Sequence, residues 1–177
     1  MTALRVLALI LLAICINLFH SANAQTTAGS PLLSTHSKDP AAAQSQKETD
    51  AETAAINALY GEWIKATATR GADGYVSFFV ADAAVIPPGM PAVEGKDTIR
   101  QWIQKELEES SLEGGKFVPG PLKISNGWAV RRFSIAGKRV PKKGGEAVSV
   151  DNKYLDVLQK QADGSWKFVY RMWNSNQ

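Results

Sequence analysis

Acid–base chemistry in this sequence falls to Asp, Glu, Tyr and Lys. Its two histidines, His20 and His36, and its one cysteine, Cys15, all lie near the N-terminus, ahead of the stretch expected to fold. That excludes Ser-His-Asp and Cys-His nucleophile machinery, His-ligated zinc and an imidazole base. One carboxylate stands out. Asp156 is expected mid-strand between Leu155 and Val157, where Asp is disfavoured. It is either a cavity acid or a residue paired across strands with Arg or Lys. Tyr75 and Tyr154 are the phenols that an acid–base pair with Asp156 would draw on.

Binding chemistry points elsewhere. Arg131 and Arg132 are neighbours in an expected strand, so they face opposite sides. An inward arginine suits a carboxylate or phosphate. The alternative is an arginine at the sheet edge with its head in water. Most aromatic side chains are core. Tyr and Trp carry a polar handle, so Trp63, Tyr75, Trp102 and Tyr154 are the better candidates to line a cavity. No metal site and no cofactor is expected, because soft ligands are missing and the carboxylates are scattered.

Compartment and charge narrow the partners. A basic start at Arg5, an apolar run from Val6 to Phe19 and the small residues Ala22 and Ala24 read as a secretory signal, residues 1–24, cleaved before Gln25. The rival reading is an uncleaved anchor. Cleavage leaves 177 − 24 = 153 residues with a charge of 19 − 17 = +2. The expected localisation is periplasmic or secreted, with no membrane contact after cleavage. Near-neutral charge names no nucleic-acid partner. The basic tip Lys138, Arg139, Lys142 and Lys143 lacks interleaved aromatics and reads as a solvated loop.

These residues must be positioned by a single domain, 48–177, reached through a disordered linker, 25–47, rich in Ala, Ser, Thr, Gln and Pro. A capping box at Thr49–Glu52 opens a helix with Ile56, Leu59, Tyr60, Trp63 and Ile64 on one face. Gly71 closes it, and Asp73 caps a short helix burying Tyr75, Val76 and Phe79. After a Pro87-Pro88-Gly89 bend, a third helix presents Ile99, Trp102, Ile103 and Leu107 and ends at Gly114-Gly115. An edge strand bent by Pro119 and Pro121 follows, then an Asn126-Gly127 turn and three more strands. Helices followed by an antiparallel meander make an α+β pattern. Simple alternation in the last strand puts Trp166, Phe168, Tyr170 and Met172 on one side. Lys167, Val169, Arg171 and Trp173 take the other, with Trp173 expected on the outer face. Both faces are then apolar, so the outer one is covered or meets a second subunit.

Two stretches, YVSFFVADAAVIPPGMPAVEGKDTIRQW at 75–102 and KYLDVLQKQADGSWKFVYRMWNSN at 153–176, resemble the nuclear transport factor 2-like superfamily and its bacterial SnoaL-like branch. The resemblance implies a cone-shaped α+β barrel, with N-terminal helices packed in a strongly curved antiparallel sheet. It implies a homodimer through the outer sheet face, and a cavity into which Ala129, Arg131 and Phe133 point. Two expected carboxylates are replaced, by Asn126-Gly127 in a turn and by Arg171 in the last strand. The favoured function is binding of a small molecule in an aromatic-lined pocket, with Trp63, Tyr75, Trp102, Arg131 and Tyr154 as contacts. The alternatives are a ketone isomerase, dehydratase or cyclase using Asp156 with Tyr75 or Tyr154, and an oligomerisation module with a vestigial pocket.

Overall fold

A computed structural model describes residues 40–176; the expected signal, 1–24, and linker residues 25–39 lie outside the described residues. Helix α1 spans Pro40–Val76 and α2 spans Lys96–Glu109. The strands are β1 Phe79–Ile86, β2 Val93–Glu94, β3 Ser110–Ser125, β4 Trp128–Pro141, β5 Val148–Lys160 and β6 Trp166–Ser175. They form one curved, unclosed sheet in the order β2-β1-β6-β5-β4-β3.

The α+β class holds, with one correction to the meander. β1 runs parallel to β6, with Val85 opposite Arg171, so the sheet is mixed. The parallel pair arises because α2 and β3 carry the chain across to the far edge before the meander returns. Both helices cover one face of the sheet. Ile56, Leu59, Tyr60 and Trp63 of α1 are buried against Phe133, Phe168 and Leu158, as the apolar period requires.

Local starts and stops differ from the sequence expectation at three places. α1 begins at Pro40, so residues 40–47 are helical rather than a disordered linker. Thr49 donates back to the Ser45 carbonyl at 3.0 Å inside the helix and does not cap it. At the other end of α2, the chain leaves the helix at Ser110, and Gly114-Gly115 lie within β3 at a bulge between Glu113 and Lys116. A second bulge, between Pro119 and Leu122, bends this edge strand where prolines cannot donate to a ladder.

The kink in α1 is set by glycine. Gly71 takes φ 58° and turns the final segment, 72–76, back along the helix. Gly74 then presses on the long helix so closely that a Cβ there would sit 1.9 Å from the Ala66 carbonyl oxygen. This fold-back brings Tyr75 against Trp63, 5.3 Å between ring centroids.

Candidate functional site

The inner sheet face carries a row of three charged residues. Arg131 of β4 pairs with Asp156 of β5, and Asp156 with Arg171 of β6. All three are buried, and they are the buried charged residues among those described. Arg131 and Asp156 point inward by simple alternation. Arg171 does so because of a bulge. Val157 pairs with Tyr170 and Leu158 with Phe168, so Val169 is an extra residue and the phase of β6 reverses after it. The expectation of simple alternation is therefore corrected. Trp166 and Phe168 face inward, and so do Arg171 and Trp173. Tyr170 and Met172 face outward and are exposed.

Asp156 is held from three directions. Arg171 donates Nε to Oδ1 at 2.9 Å and Nη2 to Oδ2 at 2.7 Å. The Tyr60 hydroxyl donates to Oδ2 at 2.7 Å. The guanidinium of Arg171 also lies 4.0 Å from the Trp63 ring centroid and 4.4 Å from that of Phe168. Such cation–ring contacts are strongest when desolvated. The expected cross-strand pairing of Asp156 is thus present, but buried rather than solvated. Burial tends to lower the pKa of Arg171. The Asp156 carboxylate and the neighbouring tyrosines outweigh it and hold the pKa above its ordinary value.

The tyrosines are kept neutral. Burial, then the Asp156 charge, pushes the Tyr60 hydroxyl far up. Burial raises Tyr75 and Tyr154 as well. Tyr75 receives a long 3.4 Å contact from Arg171 Nη1 and stacks on Phe79 at 5.1 Å between centroids. Tyr154 stands one row further along the sheet, stacked between Phe133 at 4.7 Å and Trp173 at 5.6 Å. Trp102 of α2 covers Trp173 at 6.0 Å. This places Trp173 inside the cone, not on the outer face.

Arg131 lies under the Tyr60 ring, 4.9 Å from its centroid. Its Nη1 donates to Asn57 Oδ1 at 2.5 Å. Burial lowers its pKa, against the pull of Tyr60 and Asp156. Among the described residues, three buried side-chain nitrogens have no acceptor: Trp63 Nε1, Trp102 Nε1 and Arg131 Nε. All are donors. A buried donor without a partner is costly and calls for an explanation.

The sequence-chosen residues therefore fall into two groups. Asp156 and Tyr75 both contact Arg171, and Trp63 stacks on it. Tyr154 and Trp102 meet one row along, through Trp173, and Arg131 joins through Tyr60. Sequence reasoning missed Tyr60, Arg171 and Asn57. Tyr60 was visible as one turn before Trp63 on the apolar face. Among the described residues no group of three His, Cys, Asp or Glu side chains could hold a metal. A groove of about 570 Å³ is bordered by Arg132, Lys153, Leu155 and Met172, and also by Phe133, Tyr154 and Trp173. None of Trp63, Trp102 and Arg131 lines it, so it is not the site of the unpaired donors.

Comparison with solved structures agrees with this geometry. A ketosteroid isomerase-like protein from Erwinia carotovora atroseptica superposes with a TM-score of 0.64 at 22% identity, over 70% of this chain and 95% of that one. A nuclear transport factor 2-like protein with a cystatin-like fold from Novosphingobium aromaticivorans gives 0.61 at 15% identity, over 80% and 92%. The chain has the nuclear transport factor 2-like fold. A protein of this fold from Catenulispora acidiphila, in complex with S-DNPA, gives 0.58 at 17% identity, over 72% and 95%. No family model matches the sequence, and no curated protein does so either. Identity at this level carries the fold and not the chemistry.

Proposed function

We propose that this protein is an exported cone domain that binds a small molecule with an apolar body and oxygen acceptors. The observation that carries the reading is the set of unpaired buried N–H groups on Trp63, Trp102 and Arg131. A ligand bearing carbonyl or carboxylate oxygens satisfies such donors, while the surrounding rings cover its apolar part. The complex of the Catenulispora protein with a small molecule supports the same use of the fold.

Binding is preferred to an isomerase, dehydratase or cyclase reaction. A catalytic carboxylate must be free to take a proton from substrate, and three donors already engage Asp156. The exposed outer row supports a homodimer. Val130 and Tyr170 flank Val157, and Met172 neighbours Leu155 and Ile86. Neither described helix covers that face.

Native mass spectrometry of the protein purified from its own cell envelope tests the reading. A co-purifying small molecule, lost when Trp63 and Trp102 are changed to Phe, is the expected result. Phe keeps a ring and removes the donor. An adduct-free protein that binds no carbonyl compound overturns it. Peptide mapping of the same sample is expected to place the first residue at Gln25.

A further inference from the structure

Among the described residues the interior holds two guanidiniums and one carboxylate, Arg131, Arg171 and Asp156, which leaves one positive charge without a partner. Arginine does not escape this by losing its proton. Asp156 acts on both cations, but both of its oxygens are bonded to Arg171 and none to Arg131. Arg131 has only a neutral amide, Asn57, and the face of Tyr60. A buried charge left in this state is expensive.

The geometry of Arg131 says where the missing charge belongs. A guanidinium presents two edges to a carboxylate. Nη1 is spent on Asn57. Nε is buried without an acceptor. Nη2 has no hydrogen bond to any described residue and is not among the buried unpaired atoms, so it reaches solvent-accessible space. Nε and Nη2 share one edge of the group and form the side-on fork that takes a carboxylate through two parallel bonds. Asn57 accepts with Oδ1, so it both fixes the plane of the guanidinium and leaves its own Nδ2 free to donate.

We propose that Arg131 is the anchor for a single carboxylate on the bound molecule, so that the cone selects monoanionic carboxylic acids over their neutral analogues. The assignment rests on the binding reading above and adds the class of ligand. One carboxylate cancels the interior charge. A doubly charged phosphate ester overshoots it. The aromatic rings of the next row, Phe133, Tyr154 and Trp173, then lie beside the ligand body.

The test is calorimetric titration with 2-naphthoate and 2-naphthamide, which share a ring system and differ in charge. The native protein is expected to prefer the acid by about ten- to a hundredfold. Arg131→Met removes the preference and leaves the amide affinity as it was. Arg131→Lys keeps the charge without the fork and falls between. Asn57→Asp, at an exposed helix position, supplies a competing carboxylate to Nη1 and lowers the preference without touching Arg131, so the test survives misfolding of the first variant. Equal binding of acid and amide overturns the carboxylate assignment and leaves the binding reading standing. Loss of acid binding in Arg132→Met rather than Arg131→Met also overturns it. Failure of both compounds to bind the native protein overturns the assignment and the binding reading together.

Discussion

Arg171 grips Asp156 in a two-point ion pair, Nε to Oδ1 at 2.9 Å and Nη2 to Oδ2 at 2.7 Å, with both side chains fully buried. Removing one partner strands the other's charge. Asp156→Leu and Arg171→Met are each expected to cost about 3–5 kcal/mol. The double change Asp156→Leu with Arg171→Met recovers much of that, because an apolar pair of similar volume needs no desolvation. Urea unfolding of the three variants checks the cycle. Additive losses mean that the pair is not coupled.

Alkaline pH attacks the same cluster from another side. Tyr60, Tyr75 and Tyr154 all have pKa values raised by burial. Unfolded tyrosine loses its proton near pH ~10. Above that pH the unfolded chain gives up protons that the folded one keeps, so stability is intact below pH ~10 and falls as pH rises beyond it. Tyrosinate absorbance near 295 nm and the far-ultraviolet circular dichroism are expected to change together for these residues. Ionisation of all four tyrosines in a protein with native dichroism refutes the burial.

Trp173 and its neighbours separate core from interface. Trp173→Glu sets a carboxylate among Trp102 and Tyr154 and is expected to lower stability by roughly 2 kcal/mol or more. Tyr170→Glu with Met172→Glu alters exposed side chains, so the fold stays intact and the proposed dimer weakens. Light scattering beside thermal melts distinguishes them. A Trp173→Glu protein with native stability and a weakened dimer reverses the inside–outside assignment.

Two helical glycines have opposite expectations. A Cβ added at Gly61 has nothing within 4 Å, and Gly61→Ala should add about 0.5–1 kcal/mol. At Gly74 the added carbon meets the Ala66 carbonyl at 1.9 Å. Gly74→Ala must lift segment 72–76 off the long helix, at a cost of about 3 kcal/mol or more. Thermal melts of both variants suffice, and a neutral Gly74→Ala rules out the close approach.

The helices and most strands were legible because period and turn chemistry agree there. Ile56, Leu59, Tyr60 and Trp63 share a face in sequence and in the fold. Asn126 and Gly127 both take positive φ, 50° and 74°, as a two-residue hairpin turn demands. That Ala129, Arg131 and Phe133 share one face followed from alternation, while an arginine at the sheet edge with its head in water stood as the other reading of Arg131. What stayed hidden was the count of residues in β6. Alternation has no means to anticipate one extra residue, so Arg171 and Trp173 were assigned outward and the partner of Asp156 went unseen. Pairing of β1 with β6 was hidden for a related reason. It joins segments about 85 residues apart through contacts that no local pattern encodes.

β6 is the last strand in sequence, yet it sits inside the sheet, between β1 and β5. Until residues 166–175 are in place, β1 and β5 both present bare edges, and Asp156 lacks the two-point grip of Arg171. The nascent chain up to that point lacks the strand that joins its two halves. Completion of the fold therefore waits for β6, and a chain truncated before Trp166 exposes paired sticky edges that chaperones and proteases read as unfinished.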